Sequence, residues 1–182
     1  MKLAIISFTA AGKDLSIRLS NALAQDSCML FTTTKLADET VPSYGPDLNT
    51  WTGNAFSNYD GIVFISACGI AVRDIAPHLK SKTTDPAVVV ADEKGQFAIS
   101  LVSGHIGQAN ELTLSVAHAI QATPVITTAT DVNGLFSIDS WASRHHLFIS
   151  NMKIAKEISA RLLRGEPVGM TAVWFVLPQL PK

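Results

Sequence analysis

The chain has 182 residues, 47% of them hydrophobic and 16% charged, which excludes a disordered chain and allows a core that buries roughly two-thirds of the surface without staples. Its net charge of −1 excludes a nucleic-acid or membrane-surface role that rests on bulk charge. No apolar run approaches the roughly 20 residues of a spanning helix, and the first residues run straight into a strand pattern rather than a signal peptide, so the expected compartment is the cytoplasm.

In chain order, residues 2–8 (KLAIISF) read as a buried strand turned by Thr9-Ala10-Ala11-Gly12. Residues 13–24 follow with Leu15, Leu19, Ala22 and Leu23 on one face, a helix. Residues 28–31 form a short second strand, and 32–46 a loop with four threonines, two prolines and Gly45. Asp47 caps a short helix carrying Leu48, Trp51 and Phe56. Residues 61–65 (GIVFI) are a third strand, and 66–69 turn it into a helix over about 70–79 that is interrupted or ends near Pro77. Ala87–Ala91 and Phe97–Val102 read as a hairpin or an adjacent pair across residues 92–95.

The central stretch is 97–120, FAISLVSGHIGQANELTLSVAHAI: a strand, a glycine turn bracketing His105, and a helical period from Ile106 onward. Beyond it, 124–127 reads as a strand, 131–134 as a loop, and 136–145 and 153–164 as helices. Strand–helix alternation predicts a three-layer α/β/α fold with a mostly parallel sheet. The tail is different. Trp174, Phe175 and Val176 near its end read either as a domain boundary facing a partner or as a last edge strand.

Four small, hydroxyl- or glycine-rich turns follow strands, at 9–12, 66–69, 103–107 and 127–134. They are expected at one sheet edge, where open α/β sheets bind ligands and helix N-termini favour anions. None matches a P-loop or G-x-G-x-x-G. His105 is either a general acid/base, since histidine titrates near neutrality, or structural. Glu111 satisfies the helix dipole or serves as a site base. Arg73 clamps a carboxylate or pairs near Asp74 on the surface. Asn133-Gly134 supplies positive φ, and His145-His146 reads as a capping or surface pair. Cys28 and Cys68 lie far apart without metal spacing and read as reduced core thiols. No His, Asp and Glu spacing suggests a metal site.

Three stretches, at 69–101, 101–113 (LVSGHIGQANELT) and 123–142 (TPVITTATDVNGLFSIDSWA), resemble the cobalt-precorrin 5A hydrolase family (CbiG) of anaerobic cobalamin biosynthesis. The combination of SGH-x-G-x-A-N-E-L with PVITTATD-x-N-G is more specific than any single glycine motif. The resemblance implies hydrolysis of the ring-A lactone of a cobalt-corrinoid, with acetaldehyde released and cobalt-precorrin 5B formed. It implies no cofactor of the protein's own, the cobalt being carried by the substrate. It divides the chain into an α/β corrinoid-biosynthesis domain at 1–145 and a terminal helix and linker at 146–182, leading toward a missing C-terminal domain or partner chain. Other cobalamin-pathway enzymes are further expected partners; nucleic acid and membrane are not.

On that footing His105, Glu111 and Asp131 are the expected catalytic residues. The expected substrate contacts are Gly69, Ile70, Arg73, Ser103, Gly104, Gly107, Asn110, Thr128 and Asn133. The alternatives are a non-catalytic corrinoid-binding or assembly module, and an unrelated α/β nucleotide or regulatory module.

Overall fold

The computed structural model describes residues 1–145, 147–169 and 171. They fall into two compact units, Met1–Ile126 and Thr127–Lys182.

The first unit is built on six strands: β1 (Lys2–Ser7), β2 (Ser27–Phe31), β3 (Gly61–Ile65), β4 (Ala87–Ala91), β5 (Phe97–Val102) and β6 (Thr123–Val125). Their order in the sheet is β2-β1-β3-β4-β5-β6. The helices are α1 (Ala10–Ala22), α2 (Leu48–Asn58), α3 (Cys68–Ile75, running into a 3₁₀ turn at Ala76–His78) and α4 (Ala109–Ile120). The expected mostly parallel α/β/α arrangement is borne out.

Two cores explain why the strands are apolar throughout. Along β1, Leu3 and Ile5 point to one face, where they join Leu15 and Leu19 of α1 and Leu112 and Val116 of α4. Ala4 and Ile6 point to the other, with Trp51 and Ala55 of α2 and Ala71 and Ile75 of α3. The period-2 alternation of a strand sends successive side chains to opposite faces, so a sheet covered twice needs apolar residues at every position. Phe64 in β3 is fully buried against the second core. Burying such a side chain stabilises by about 1.5–3 kcal/mol.

Among the described residues the one antiparallel pairing is β4 with β5, Ala91 opposite Ala98 and Val88 opposite Val102. The connection is too short for a crossover, so the chain can only double back. Asp92 builds that turn: its carboxylate accepts the backbone N–H groups of Lys94 (2.9 Å), Gln96 (2.8 Å) and Phe97 (2.7 Å). Gly95 takes φ +68°, a left-handed conformation cheap for glycine. β6 is parallel to β5. Thus β5 and β6 run opposite to the first four strands.

In the second unit, α5 (Ala129–Val132), α6 (Ile138–Arg144) and α7 (Met152–Leu163) pack together, α7 on both others. The Asn151 side chain caps α7 by accepting from Lys153 and Ile154 N–H, both at 3.1 Å. Phe136, Trp141, Leu147, Phe148, Ile158 and Leu162 line an apolar cavity of about 500 Å³ in this unit. The Trp174–Phe175–Val176 run lies outside the described residues. No helix among the described residues is long and apolar enough to cross a membrane.

Candidate functional site

The reversal at β5 corrects one expectation. Four turns were expected at one sheet edge, but they divide between two. The carboxyl ends of β1 and β3 lead into the turns at 9–12 and 66–69 at one edge. The carboxyl end of β5 leads into the 103–107 turn at the opposite edge, because β5 is antiparallel to β4, which is parallel to β3. Gly69, Ile70 and Arg73 therefore do not border the His105 turn. β6 ends at the same edge as β5.

At the first edge, the strand order reverses between β1 and β3, the usual ligand crevice of an open α/β sheet. Thr9 caps α1, accepting Gly12 N–H at 3.0 Å, and donates to the Glu93 carboxylate at 2.8 Å. Gly12 is needed there: a Cβ would come 3.1 Å from Thr9 Oγ1 and 3.2 Å from Ile65 Cγ2. Gly69, Ile70 and Arg73 are exposed on α3, and Arg73 Nη1 donates to Gly69 O at 3.4 Å. Burial pushes the neighbouring Asp74 carboxyl up; Asp47 adds to the rise and His78 opposes it.

At the second edge, the SGHIGQAN segment forms a closed turn rather than the first turn of a helix. α4 starts at Ala109, three residues later than the apolar period from Ile106 suggests. Ala109 N–H bonds Ser103 O and Asn110 N–H bonds Gly104 O, both at 3.0 Å. Two non-glycine residues at its ends are left-handed, Ser103 at φ +62° and Gln108 at φ +66°. Such residues cost on the order of 1–3 kcal/mol each and cluster at functional sites.

The turn's interior leaves no room for larger residues. A Cβ on Gly107 would overlap Ser103 Cβ and lie 2.9 Å from Ser103 O; one on Gly104 would lie 2.9 Å from Asn110 Oδ1. Asn110 is 5% exposed, and its Oδ1 accepts from Ser100 Oγ at 2.6 Å. It braces the turn from behind. The Ser103 hydroxyl is enclosed without a hydrogen-bond partner. His105 is half-buried on the turn and Glu111 is exposed in the first turn of α4.

Beside this turn lies a cavity of about 360 Å³, lined by Ile106, Gly107 and Gln108 on one side and by Tyr59, Asp60 and Thr83 through Pro86 on another. Both of its carboxylates are engaged: Asp60 accepts Lys2 N–H at 2.7 Å, and Asp85 accepts Lys80 and Ser81 N–H at 2.9 and 3.0 Å. Neither the left-handed serine nor this cavity is visible in the sequence. The cavity walls come from segments 20 or more residues apart, and nothing in S-G-H marks which residue takes positive φ.

In the second unit, Thr128 stands at the N-cap of α5, Asp131 within it and Asn133 at its C-cap, with Asn133 Nδ2 donating to Ala129 O at 2.8 Å. Gly134, not Asn133, takes the positive φ, +61°. His145 ends α6, its ring 4.8 Å from that of Trp141; His146 lies outside the described residues. Cys28 and Cys68 are free and half-buried, and burial pushes the Cys28 thiol up. Among the described residues, no group of three or more His, Cys, Asp or Glu could hold a metal ion.

Comparison with known proteins agrees with the motif reading. Residues 50–131, which include the whole 103–108 turn, match the family model "Cobalamin synthesis G N-terminal". The chain is 42% identical over 170 residues to a cobalt-precorrin-5A hydrolase of Salmonella typhimurium, covering 92% of this chain and 47% of that protein. It is 35% identical over 170 residues to one of Priestia megaterium, covering 92% and 46%. A crystal structure described as a cobalamin biosynthesis protein G homolog from Sulfolobus solfataricus superposes with a TM-score of 0.59 at 26% identity, covering 100% of this chain and 51% of that one. The chain spans about half the length of the curated relatives it matches. Residues 50–131 are thus similar to the N-terminal region of the cobalamin synthesis G family.

Proposed function

We propose that this chain acts in cobalamin biosynthesis as part of a cobalt-precorrin 5A hydrolase, opening the ring-A lactone and releasing acetaldehyde to give cobalt-precorrin 5B. The observation that carries this reading is the 42% identity to a cobalt-precorrin-5A hydrolase over 170 residues, a span that takes in nearly the whole chain. The strained 103–108 turn, inside the family-matched segment, supports its placement of the chemistry.

Lactone hydrolysis requires an activated water and stabilisation of the oxyanion that forms. His105 takes a proton from water as its oxygen bonds the lactone carbonyl carbon, and returns one to the alkoxide as the ring C–O bond breaks. Glu111 orients His105 or acts as the alternative base, and Asp131 is a further acid/base candidate. The freed hydroxyl then loses its proton, the adjacent C–C bond breaks, and acetaldehyde leaves. The electron pair stays in the conjugated macrocycle. Cobalt belongs to the substrate, and the protein supplies no cofactor.

Gly104 and Gly107 let the ligand approach the backbone; Thr128 and Asn133, in the second unit, stay substrate-contact candidates on their motif alone. The 360 Å³ cavity is near the lower end of ligand pockets, roughly 300–1,000 Å³, so it takes an arm of the corrinoid rim rather than the macrocycle. The first-edge residues Gly69, Ile70 and Arg73 are not part of this cleft.

The chain's partner, on this reading, is the remainder of sequence that its longer relatives carry, and its compartment is the cytoplasm. Phe148, 92% exposed in the second unit, supports a partner surface. The test is to incubate the chain with cobalt-precorrin 5A and trap acetaldehyde. Release in proportion to substrate consumed is expected. The absence of both binding and release would overturn the reading, and binding without release would reduce the chain to a corrinoid-binding module.

A further inference from the structure

Three side chains among the described residues hold a buried polar atom without a hydrogen-bond partner: Thr52, His78 and Ser103. Of these three only Ser103 also has left-handed backbone, φ +62°. Two penalties fall on one residue. Glycine would remove both, since it has no Cβ to strain and no hydroxyl to leave unsatisfied. Ser103 also constrains its neighbour, because it fills the space that a Cβ on Gly107 would need. Positions that break local rules without a folding benefit are where function is expected.

Gly107 is the link to the ligand. It touches Ser103 on one side and lines the 360 Å³ cavity with Ile106 and Gln108 on the other. Anything that enters the cavity presses on Gly107, which packs against Ser103. We infer that Ser103 is a substrate-binding residue whose hydroxyl is released when the turn shifts. It then donates to an oxygen acceptor on the rim of the corrinoid, a carboxylate or the lactone carbonyl. This rests on the reading that the chain handles cobalt-precorrin 5A. Thr83 and Thr84, which line the same cavity, suit an oxygen-rich arm. The strain is relieved on binding, so the ligand selects the shifted turn through its differential affinity.

The signature is a variant that gains stability and loses affinity, a combination that a purely structural serine does not produce. Ser103→Gly and Ser103→Ala, made in the full chain, are compared with wild type for melting temperature and for cobalt-precorrin 5A affinity by absorbance titration. Ser103→Gly is expected to melt about 2–4 °C higher, and Ser103→Ala no lower than wild type. Both are expected to bind about tenfold more weakly, the loss of one hydrogen bond. Wild-type affinity in both variants, or a lowered melting temperature in both, overturns the inference. If wild type itself does not bind cobalt-precorrin 5A, the proposed function falls and this role falls with it. If wild type binds and both variants bind equally well, only this role falls.

Discussion

Thr9 and Glu93 lie 84 residues apart, and one hydroxyl joins them: Thr9 Oγ1 accepts Gly12 N–H at 3.0 Å and donates to Glu93 Oε2 at 2.8 Å. The cap of α1 is thus tied to the β4–β5 hairpin. The Glu93 carboxylate sits at the positive end of α1, where a ligand anion would sit in a dinucleotide-binding fold. Thr9→Ala removes the cap and the tie together. It is expected to cost about 1–2 kcal/mol in urea denaturation, and an unchanged midpoint would show that the contact contributes nothing.

Gly107→Ala is a test of packing in the other turn. The new Cβ would overlap Ser103 Cβ and crowd the carbonyls of Ser103 and Asp85, at 2.9 and 3.2 Å. Two of these neighbours are backbone, so the turn itself must move. A loss of about 1–3 kcal/mol follows, read as a lowered denaturation midpoint. A fully stable Gly107→Ala would mean that Ser103 and Gly107 are not packed as described.

Lys13 and Asp38 form a short ion pair that ties α1 to the loop after β2. Lys13, with Val41 N–H next, lowers the Asp38 carboxyl from 3.8 to about 2. A depressed carboxylate stabilises the fold above its unfolded value and loses that contribution as pH falls through its folded value. Asp38→Asn should therefore be less stable than wild type at pH 5 and above. The gap should close between pH 3.8 and about 2. A gap independent of pH would remove the ion pair from the account.

Most of the fold was legible. The runs GIVFI and AVVVA predict strands buried on both faces, and both are fully buried. Asp47 caps α2 as its position suggests, accepting Thr50 N–H at 2.8 Å. The β4–β5 hairpin was also legible, yet its consequence was missed: one antiparallel step sends the next turn to the opposite edge. That is a property of strand order, which local pattern does not carry. Ile106 continues a helical apolar period but lies in the turn, because left-handed Gln108 delays α4. The strain at Ser103 was illegible because neighbouring Gly104 is the residue that local preference would place at positive φ.

The central claim is that the 103–108 turn carries the chemistry, and His105→Ala tests it most directly. Acetaldehyde formation from cobalt-precorrin 5A is measured for wild type and variant, alongside corrinoid affinity. With His105 as the proton shuttle, turnover falls about a hundredfold or more while affinity stays close to wild type. Acetaldehyde release by His105→Ala at the wild-type rate would contradict the account.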